Sequence, residues 1–539
     1  VDNAGIADRL DAFATLLELA DANPYTARAY RRAAETIRAA PVPVDGLVRA
    51  GRVRDLRGIG PGIETRLREL VETGTIAELD ELERELSPGL VGLGRYLGLG
   101  TKRSVEIARA LGVNTADELR EAAAAGRLKA VPGIGPKTEA QILEALARES
   151  EPPAQRGLTL NRAWELMGGI AAALEGTAAG DVRRWRDSSE SLAVVCAATD
   201  PSPVLARFAA LPQIVAVIDA SARRAVGVTV DGVALELVVA EPERCGTALL
   251  RATGAPAYVA ALEPVPDGPD EAAVYAALGV PWCPPELREE PFRGEPPPLV
   301  ELDDIRGDLH CHTTWSDGRA TVEEMARAAR DRGYEYIAIC DHTPAVGAVR
   351  GLTGDDVRRQ ALEIEAANEL LAPFRVLRGI ECDILPDGRL DLPDGVLAEL
   401  DWVQASVHGG QRMPEREMTK RVEEALRHPA VRCLSHPKGR LINRRPENAL
   451  DLERVFEIAL EEGVALEVNG LPDRLDLSGE HVREALRAGL QVVCSTDAHS
   501  VRGLDNMPLG VHTARRGWAT AADVLNTRAG AGPGRLRRD

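Results

Sequence analysis

The stretch His310-Cys311-His312-Thr313-Thr314-Trp315-Ser316-Asp317 decides how this chain is read. Side chains alternate along an extended segment, so the imidazoles on either side of Cys311 point the same way. Asp497-Ala498-His499 repeats that geometry almost two hundred residues later. Between them lie Asp341-His342, Gly379-Ile380-Glu381, Ser406-Val407-His408 and Ser435-His436-Pro437. Each falls at the end of a short β-type run. The predicted runs are Tyr334–Cys340, Val376–Ile380, Trp402–Val407, Val431–Leu434, Val464–Val468 and Val492–Cys494. Amphipathic stretches such as Val322–Arg332 and Leu452–Glu462 separate them. Strand–helix alternation over about 220 residues predicts a parallel barrel or a doubly wound sheet.

Active sites of such barrels gather at the C-terminal ends of the strands, so these side chains are expected to converge in one mouth. All nine histidines of the chain fall between positions 310 and 512. Six imidazoles and three carboxylates (His310, His312, Asp317, His342, Glu381, His408, His436, Asp497 and His499) exceed what one tetrahedral ion needs. They suit two or three borderline cations, Zn²⁺ or Mn²⁺. Such a cluster can hold a hydroxide nucleophile at neutral pH and stabilise both oxygens of a phosphoester displacement, with no separate protein nucleophile. His428 and His481, taken singly, read as ordinary surface or core residues.

The chain has 539 residues, 45% hydrophobic and 28% charged, which excludes a disordered or collagen-like polymer. At about 150 residues per domain, three or four domains are expected. No apolar run approaches a membrane span, and no secretory signal is expected from the acid-bearing first thirty residues. Eight scattered cysteines without a CxxC pair support neither a disulfide framework nor a zinc ribbon, and a reducing cytoplasm is expected. Net charge is −19, but residues 1–150 balance 21 basic against 23 acidic side chains. That near-neutral third can still present a local basic face to phosphates.

Residues 1–150 read as successive helices, beginning with Leu10, Phe13, Leu16 and Leu17 at helical spacing. Three glycine turns punctuate them: Leu56–Gly62, Gly98-Leu99-Gly100-Thr101-Lys102, and Val131–Lys137. Glycines let a backbone approach a phosphate closely while the next helix points its first N–H groups at the anion. Gly58, Gly60, Gly98, Gly100, Lys102, Gly133, Gly135 and Lys137 are therefore candidate phosphate contacts, and the resemblance of these turns to helix-hairpin-helix motifs implies DNA, gripped without reading its sequence. A joint at Glu151-Pro152-Pro153 closes this region. Predicted strands Ser191–Ala198, Ile214–Ile218 and a hairpin over Val226–Val239 follow, and prolines over Pro284–Leu299 predict an extended linker.

The segments around His310, His342, Glu381, His408, His436 and Asp497 resemble the polymerase-and-histidinol-phosphatase (PHP) domain. The glycine turns and the remainder resemble the bacterial family X DNA polymerases to which that domain is fused, and the likeness covers nearly the whole chain. It implies a multidomain fold: an α-helical helix-hairpin-helix N-terminal region, an α+β nucleotidyltransferase-like palm, and a C-terminal distorted (β/α)₇ barrel of PHP type. The implied domains are 1–86 with the first hairpin, 87–150 with two more, a palm at 155–240, a shortened thumb and linker at 241–300, and the PHP domain at 301–539. The resemblance further implies Mn²⁺-dependent 3′-end processing and 3′–5′ exonuclease activity on DNA. It assigns His310, His312, Glu381 and Asp497 to a first metal. Glu381 bridges to a second held by His408 and His436, and Asp317, His342 and His499 hold the third. Arg440 and Arg474 follow barrel strands where a phosphate would sit, although surface solvation is the expected role of each.

Other positions depart from the family pattern. The lysine that can form a Schiff base in the family is matched by Arg66, whose guanidinium stays protonated, so no lyase is expected there. The palm's metal-binding positions fall on Ser191, Ala193 and Glu236, and the serine of its Gly-Ser motif falls on Asp181. One carboxylate and a hydroxyl hold two divalent ions poorly, with Asp187 and Glu190 the nearest substitutes. A monomeric, DNA-binding 3′–5′ exonuclease or 3′-end phosphoesterase of DNA repair, with polymerase activity lost, is expected on gapped or 3′-ended DNA. An active repair polymerase with an accessory nuclease, and a small-molecule phosphatase of histidinol-phosphate type, are the alternatives.

Overall fold

The computed structural model describes residues 3–19, 24–38, 40, 43–56, 58–79, scattered positions between 107 and 134, and 157–529 except 230 and 232. The chain divides into two compact units, Val1–Gln155 and Arg156–Asp539. Among the described residues no helix is long and apolar enough to cross a membrane.

In the first unit, helices Asn3–Leu19 and Pro24–Arg38 share a core that includes Ile6, Leu10, Phe13, Tyr30 and Ile37. Phe13 meets Tyr30 edge-on at 4.9 Å, a favourable arrangement for two ring quadrupoles. Helices Val44–Arg49 and Pro61–Thr73 follow, joined through the first glycine turn. Gly58 takes φ +91°, which only glycine adopts freely, and Pro61 opens the second helix, where its missing N–H is harmless. The second glycine turn, with Gly98, Gly100 and Lys102, lies outside the described residues, as do Gly133, Gly135 and Lys137 of the third.

The second unit begins with a palm-like layer. Strands β1 (Leu158–Thr159) and β3 (Ser188–Ser189) form a small pair. Strands β2 (Thr177–Ala179), β4 (Ser191–Ala197), β5 (Ile214–Ala220), β6 (Arg224–Thr229) and β7 (Ala234–Ala240) form a sheet in the order β2-β4-β7-β6-β5. Only β4 and β7 run parallel. The helix Leu160–Leu174 closes the core with Leu166, Met167, Ile170 and Leu174.

The proline-rich stretch expected as an extended linker is packed at its start, where Pro285–Leu287 form a turn, while 290–298 are exposed or half-buried. Arg288 is fully buried and holds both oxygens of Glu271, while Glu286 accepts hydrogen bonds from His512 Nδ1 at 2.9 Å and Arg515 Nε at 2.7 Å. Prolines mark an extended backbone; whether it packs depends on the side chains between them, and here two buried carboxylates hold it down.

Seven parallel strands build the remainder: β8 (Gly307–Cys311), β9 (Tyr336–Ile339), β10 (Arg375–Asp383), β11 (Trp402–Ser406), β12 (Cys433–Leu434), β13 (Ala465–Asn469) and β14 (Val492–Ser495). Their spatial order follows the sequence, and a bridge from Cys311 to Ala498 nearly closes the ring. Helices such as Val322–Asp331 wrap the outside; a Thr321–Glu324 capping box starts that one, which buries Val322, Met325, Ala326 and Ala329. Inside, Leu309, Ala338, Leu377, Trp402, Cys433, Ala465 and Val493 share one apolar layer. Two or four residues further along their strands come Glu381, Ser406, Ser435, Glu467 and Ser495, so period-two alternation turns the upper interior polar.

Candidate metal centre

Strand β8 carries an irregularity that matters to the site. Its pairing with β9 shifts register between Asp308 and Cys311, which adds one residue to β8. Leu309 can then join the apolar layer while His310 and His312 both face the mouth, the re-aiming that bulges commonly produce. Asp308 fixes this segment by accepting from the His310 backbone N–H at 3.2 Å and from the Thr496 hydroxyl.

The nine candidate ligands come from the ends of the strands and meet in one continuous cluster. His310 Nε2 lies 3.1 Å from His312 Nε2, and His312 Nε2 lies 3.1 Å from Asp497 Oδ1. Glu381 stands at the centre, with His342 Nδ1 at 2.9 Å from one oxygen and His436 Nε2 at 2.8 Å and His408 Nε2 at 3.5 Å from the other. Asp317 reaches His499 Nε2 at 3.3 Å and His342 Nε2 at 3.6 Å. Among the described residues, three sets have donor atoms close enough to share an ion: His310, His312 and Asp497; His312, Asp317, His342 and His499; and His342, Glu381 and His408. His312 and His342 each belong to two sets, so the groups are less separate than the family assignment implies.

The donor set fits divalent cations. The ring nitrogens of His310 and His312 face each other, and the buried Nδ1 of His312 has no hydrogen-bond partner among the described residues. Burial and the neighbouring His499 and His342 push His312 down to about 3, so its ring stays neutral and able to ligate. Against the pull of burial, Glu381 and Asp317 push His342 up to about 10. Burial opposes ionisation of Glu381, yet His408, His310 and His342 hold its carboxyl well below the usual range. A cation would take the place of those protons. His436 and Asp497 sit at φ +27° and +52°, disfavoured for residues with a Cβ and typical of positions where geometry serves a site.

Several supporting residues escaped the sequence reading. Glu467 accepts from His310 Nδ1, Asp383 lies 3.2 Å from His408 Nδ1, and Asn469 Nδ2 donates to Asp497 Oδ2 at 3.0 Å. Asp341 gathers the Thr313 backbone N–H and the side chains of Thr313, Ser316 and Gln360. Glu467 was visible as a lone acid inside the apolar run Val464–Val468. Arg440 and Arg474 do not serve surface solvation. Arg440 is committed to Asp187 at 2.6 Å, and the Nε of Arg474 lies 3.7 Å from Asp497 Oδ2 with no hydrogen bond among the described residues.

The palm positions are arranged differently. Ala193 and Glu236 are direct neighbours across β4 and β7. Ala193 is buried in an apolar cluster with Ala179 and Val195, against Ala248 and Ala252. Glu236 pairs with Arg224, Asp181 pairs with Arg184, and Ser191 is exposed at the strand's start. Asp187 is held by Arg440 and Arg516, which removes one of the two substitutes the sequence offered. In the first unit, Arg66 is paired with Glu69 and Glu78.

Comparison with known proteins agrees with these parts. A helix-hairpin-helix domain matches residues 1–76, a SAM-like helix-hairpin-helix tandem matches 97–148, and a PHP domain matches 308–470. A "Probable phosphatase" of Acetivibrio thermocellus is 32% identical over 36% of this chain and 78% of its own length. A "Probable phosphatase" of Thermoanaerobacter is 28% identical over 41% of this chain and 91% of its own length. The DNA polymerase/3′-5′ exonuclease PolX of Bacillus subtilis is 35% identical over 96% of both chains. With that likeness along its whole length, the chain belongs to the PolX family.

Proposed function

We propose that this protein is a metal-dependent 3′–5′ DNA exonuclease and 3′-end phosphoesterase of DNA repair, with polymerase activity lost. The observation that carries the reading is the convergence of His310, His312, Asp317, His342, Glu381, His408, His436, Asp497 and His499 at one barrel mouth. Two or three Mn²⁺ or Zn²⁺ ions bound there would supply Lewis acidity toward a phosphodiester and activate water near neutral pH. The chain's own groups do the rest. Glu467 and Asp383 orient His310 and His408, Asn469 holds Asp497, and Arg474 offers a fixed positive charge at the rim.

DNA binding is supported by the helix-hairpin-helix matches and by the shape of the first turn. A Cβ added at Gly60 or Gly62 would meet no heavy atom of the described residues within 4 Å, so neither glycine is required by packing. Bare backbone there leaves N–H groups open to a phosphate. The phosphatase relatives align with only 36% and 41% of this chain, and a small-molecule phosphatase would leave both helix-hairpin-helix regions without a task. Loss of polymerase activity is supported by Ala193 packed among alanines and by the pairing of Glu236 with Arg224. Two nearby carboxylates on one edge are what nucleotidyl transfer through paired metals requires.

The test is degradation of a 5′-labelled oligonucleotide with Mn²⁺ by the wild type and by His310→Ala. A ladder shortening from the 3′ end, abolished in the variant, is expected. Cleavage that persists in His310→Ala would place the activity elsewhere.

A further inference from the structure

The palm-like layer reaches the barrel mouth through one chain of polar contacts. Asp187 precedes β3 and binds Arg440 Nη2 at 2.6 Å through one oxygen and Arg516 Nη1 at 2.6 Å through the other. Arg440 in turn donates from Nε to the carbonyl of Arg474 at 2.8 Å, and from Nη2 to the carbonyl of Leu475. Leu475 sits at φ +43°, a backbone state that a Cβ disfavours, and its side chain is fully buried. It is packed with Leu160 and Trp164 of the palm helix and with Leu509 of a barrel helix. The strained segment is thus held from both sides, by a charge pair and by an apolar contact, each contributed in part by the palm. Arg474, the residue so fixed, has a buried Nε with no hydrogen-bond partner among the described residues, turned toward Asp497.

We propose that the palm of this protein serves the barrel: Asp187 is a positioning residue that, through Arg440, sets Arg474 over the metal cluster to meet the phosphate of a bound 3′ end. The inference rests on the phosphoesterase reading for its substrate, but its geometry stands on the palm–barrel contacts alone. It accounts for the commitment of Asp187 to arginines instead of to a palm metal. A buried carboxylate that neutralises Arg440 leaves that guanidinium free to bind two carbonyls without carrying an unpaired charge.

The test is a double-mutant cycle on the full-length, Mn²⁺-loaded protein, read by calorimetric titration with inorganic phosphate and by metal content. Asp187→Asn and Arg474→Gln are each expected to weaken phosphate binding about tenfold, the usual worth of one charge-assisted hydrogen bond. The double variant should bind no more weakly than Arg474→Gln alone, because both act through one guanidinium. Manganese content should stay at the wild-type level. Arg516→Ala removes the other partner of Asp187 and spares the Arg440 arm, so phosphate affinity should change by less than about twofold while the melting temperature falls. If Asp187→Asn fails to fold, Arg440→Gln breaks the same chain at its next link and is expected to give the same loss. Wild-type phosphate affinity in the folded variant, or losses that multiply in the double variant, would overturn the proposal. Oligonucleotide degradation by the same proteins separates the two ideas. Coupling in phosphate binding without any degradation by the wild type would remove the nuclease reading and leave the positioning role in place.

Discussion

The carboxylate of Glu467 lies 2.6 Å from Nδ1 of His310, a contact that spans 157 residues of sequence. The same side chain accepts from the Ser435 hydroxyl at 2.9 Å and the His436 backbone N–H at 2.7 Å. With its proton on Nδ1, His310 presents the lone pair of Nε2 to the cluster. An anion behind a ligating imidazole also makes that nitrogen a stronger donor.

Glu467→Gln should therefore keep the fold and weaken metal binding. Removal of such a supporting carboxylate typically lowers affinity or activity by about 10- to 100-fold. Titration of the metal-depleted protein with Mn²⁺, followed through the signal of free Mn²⁺, checks this. Unchanged affinity would mean that His310 needs no fixed tautomer.

A second prediction concerns acid stability. Burial opposes ionisation of Glu271, but hydrogen bonds and charge from Arg183 and Arg288 hold its carboxyl down to about 2, against an ordinary 4.5. Because the folded value is lowered, its contribution is fully present above pH 4.5 and is lost as pH falls toward 2. The shift corresponds to about 3 kcal/mol at neutral pH. Glu271→Gln should lower the melting temperature at pH 7, and the gap to wild type should shrink steadily below pH 4.5. A gap independent of pH would contradict the ion-pair account.

Much of this molecule was legible in the sequence because barrels write their chemistry at strand ends. Glu381 and Asp497 lie an even number of residues beyond Leu377 and Val493 of the apolar layer, as period-two alternation requires, whereas His310 and His436 owe their aim to the β8 irregularity and to a φ of +27°. The supporting layer was harder to see. Asp383 and Asn469 look like ordinary loop polar residues until the strand pairing brings them behind a ligand. The packing of residues 284–288 was also hidden, because it depends on Glu271, His512 and Arg515, which lie outside that stretch. The same holds for Arg440 and Arg474: nothing local distinguishes an arginine in solvent from one that holds a strained turn.

The first hairpin separates two roles of glycine. Gly58 needs its left-handed φ of +91°, so Gly58→Ala should destabilise the first unit by about 1 kcal/mol. Gly60 has φ −89° and open space where a Cβ would go, so Gly60→Ala should melt within about 0.5 kcal/mol of wild type. On the proposed reading, duplex DNA affinity at low salt should nonetheless fall severalfold in Gly60→Ala, because the new methyl would stand in the path of the phosphate. Equal DNA affinity in Gly60→Ala and wild type would detach this turn from DNA binding.

The palm offers the last prediction. Primer extension with deoxynucleotides and Mn²⁺ should yield no product, since the neighbour of Glu236 across the parallel strands is the methyl of Ala193. Ala193→Asp would place a carboxylate beside Glu236, but in an apolar pocket with Ala179, Ala248 and Ala252. A charge introduced there without a partner costs several kcal/mol or stays protonated. The variant should therefore be less stable than wild type, and still inactive in extension, while its Mn²⁺-dependent degradation of a 3′ end persists at permissive temperature. Extension by the wild type that disappears in Glu236→Ala would show instead that one carboxylate suffices, and the palm would regain its own reaction.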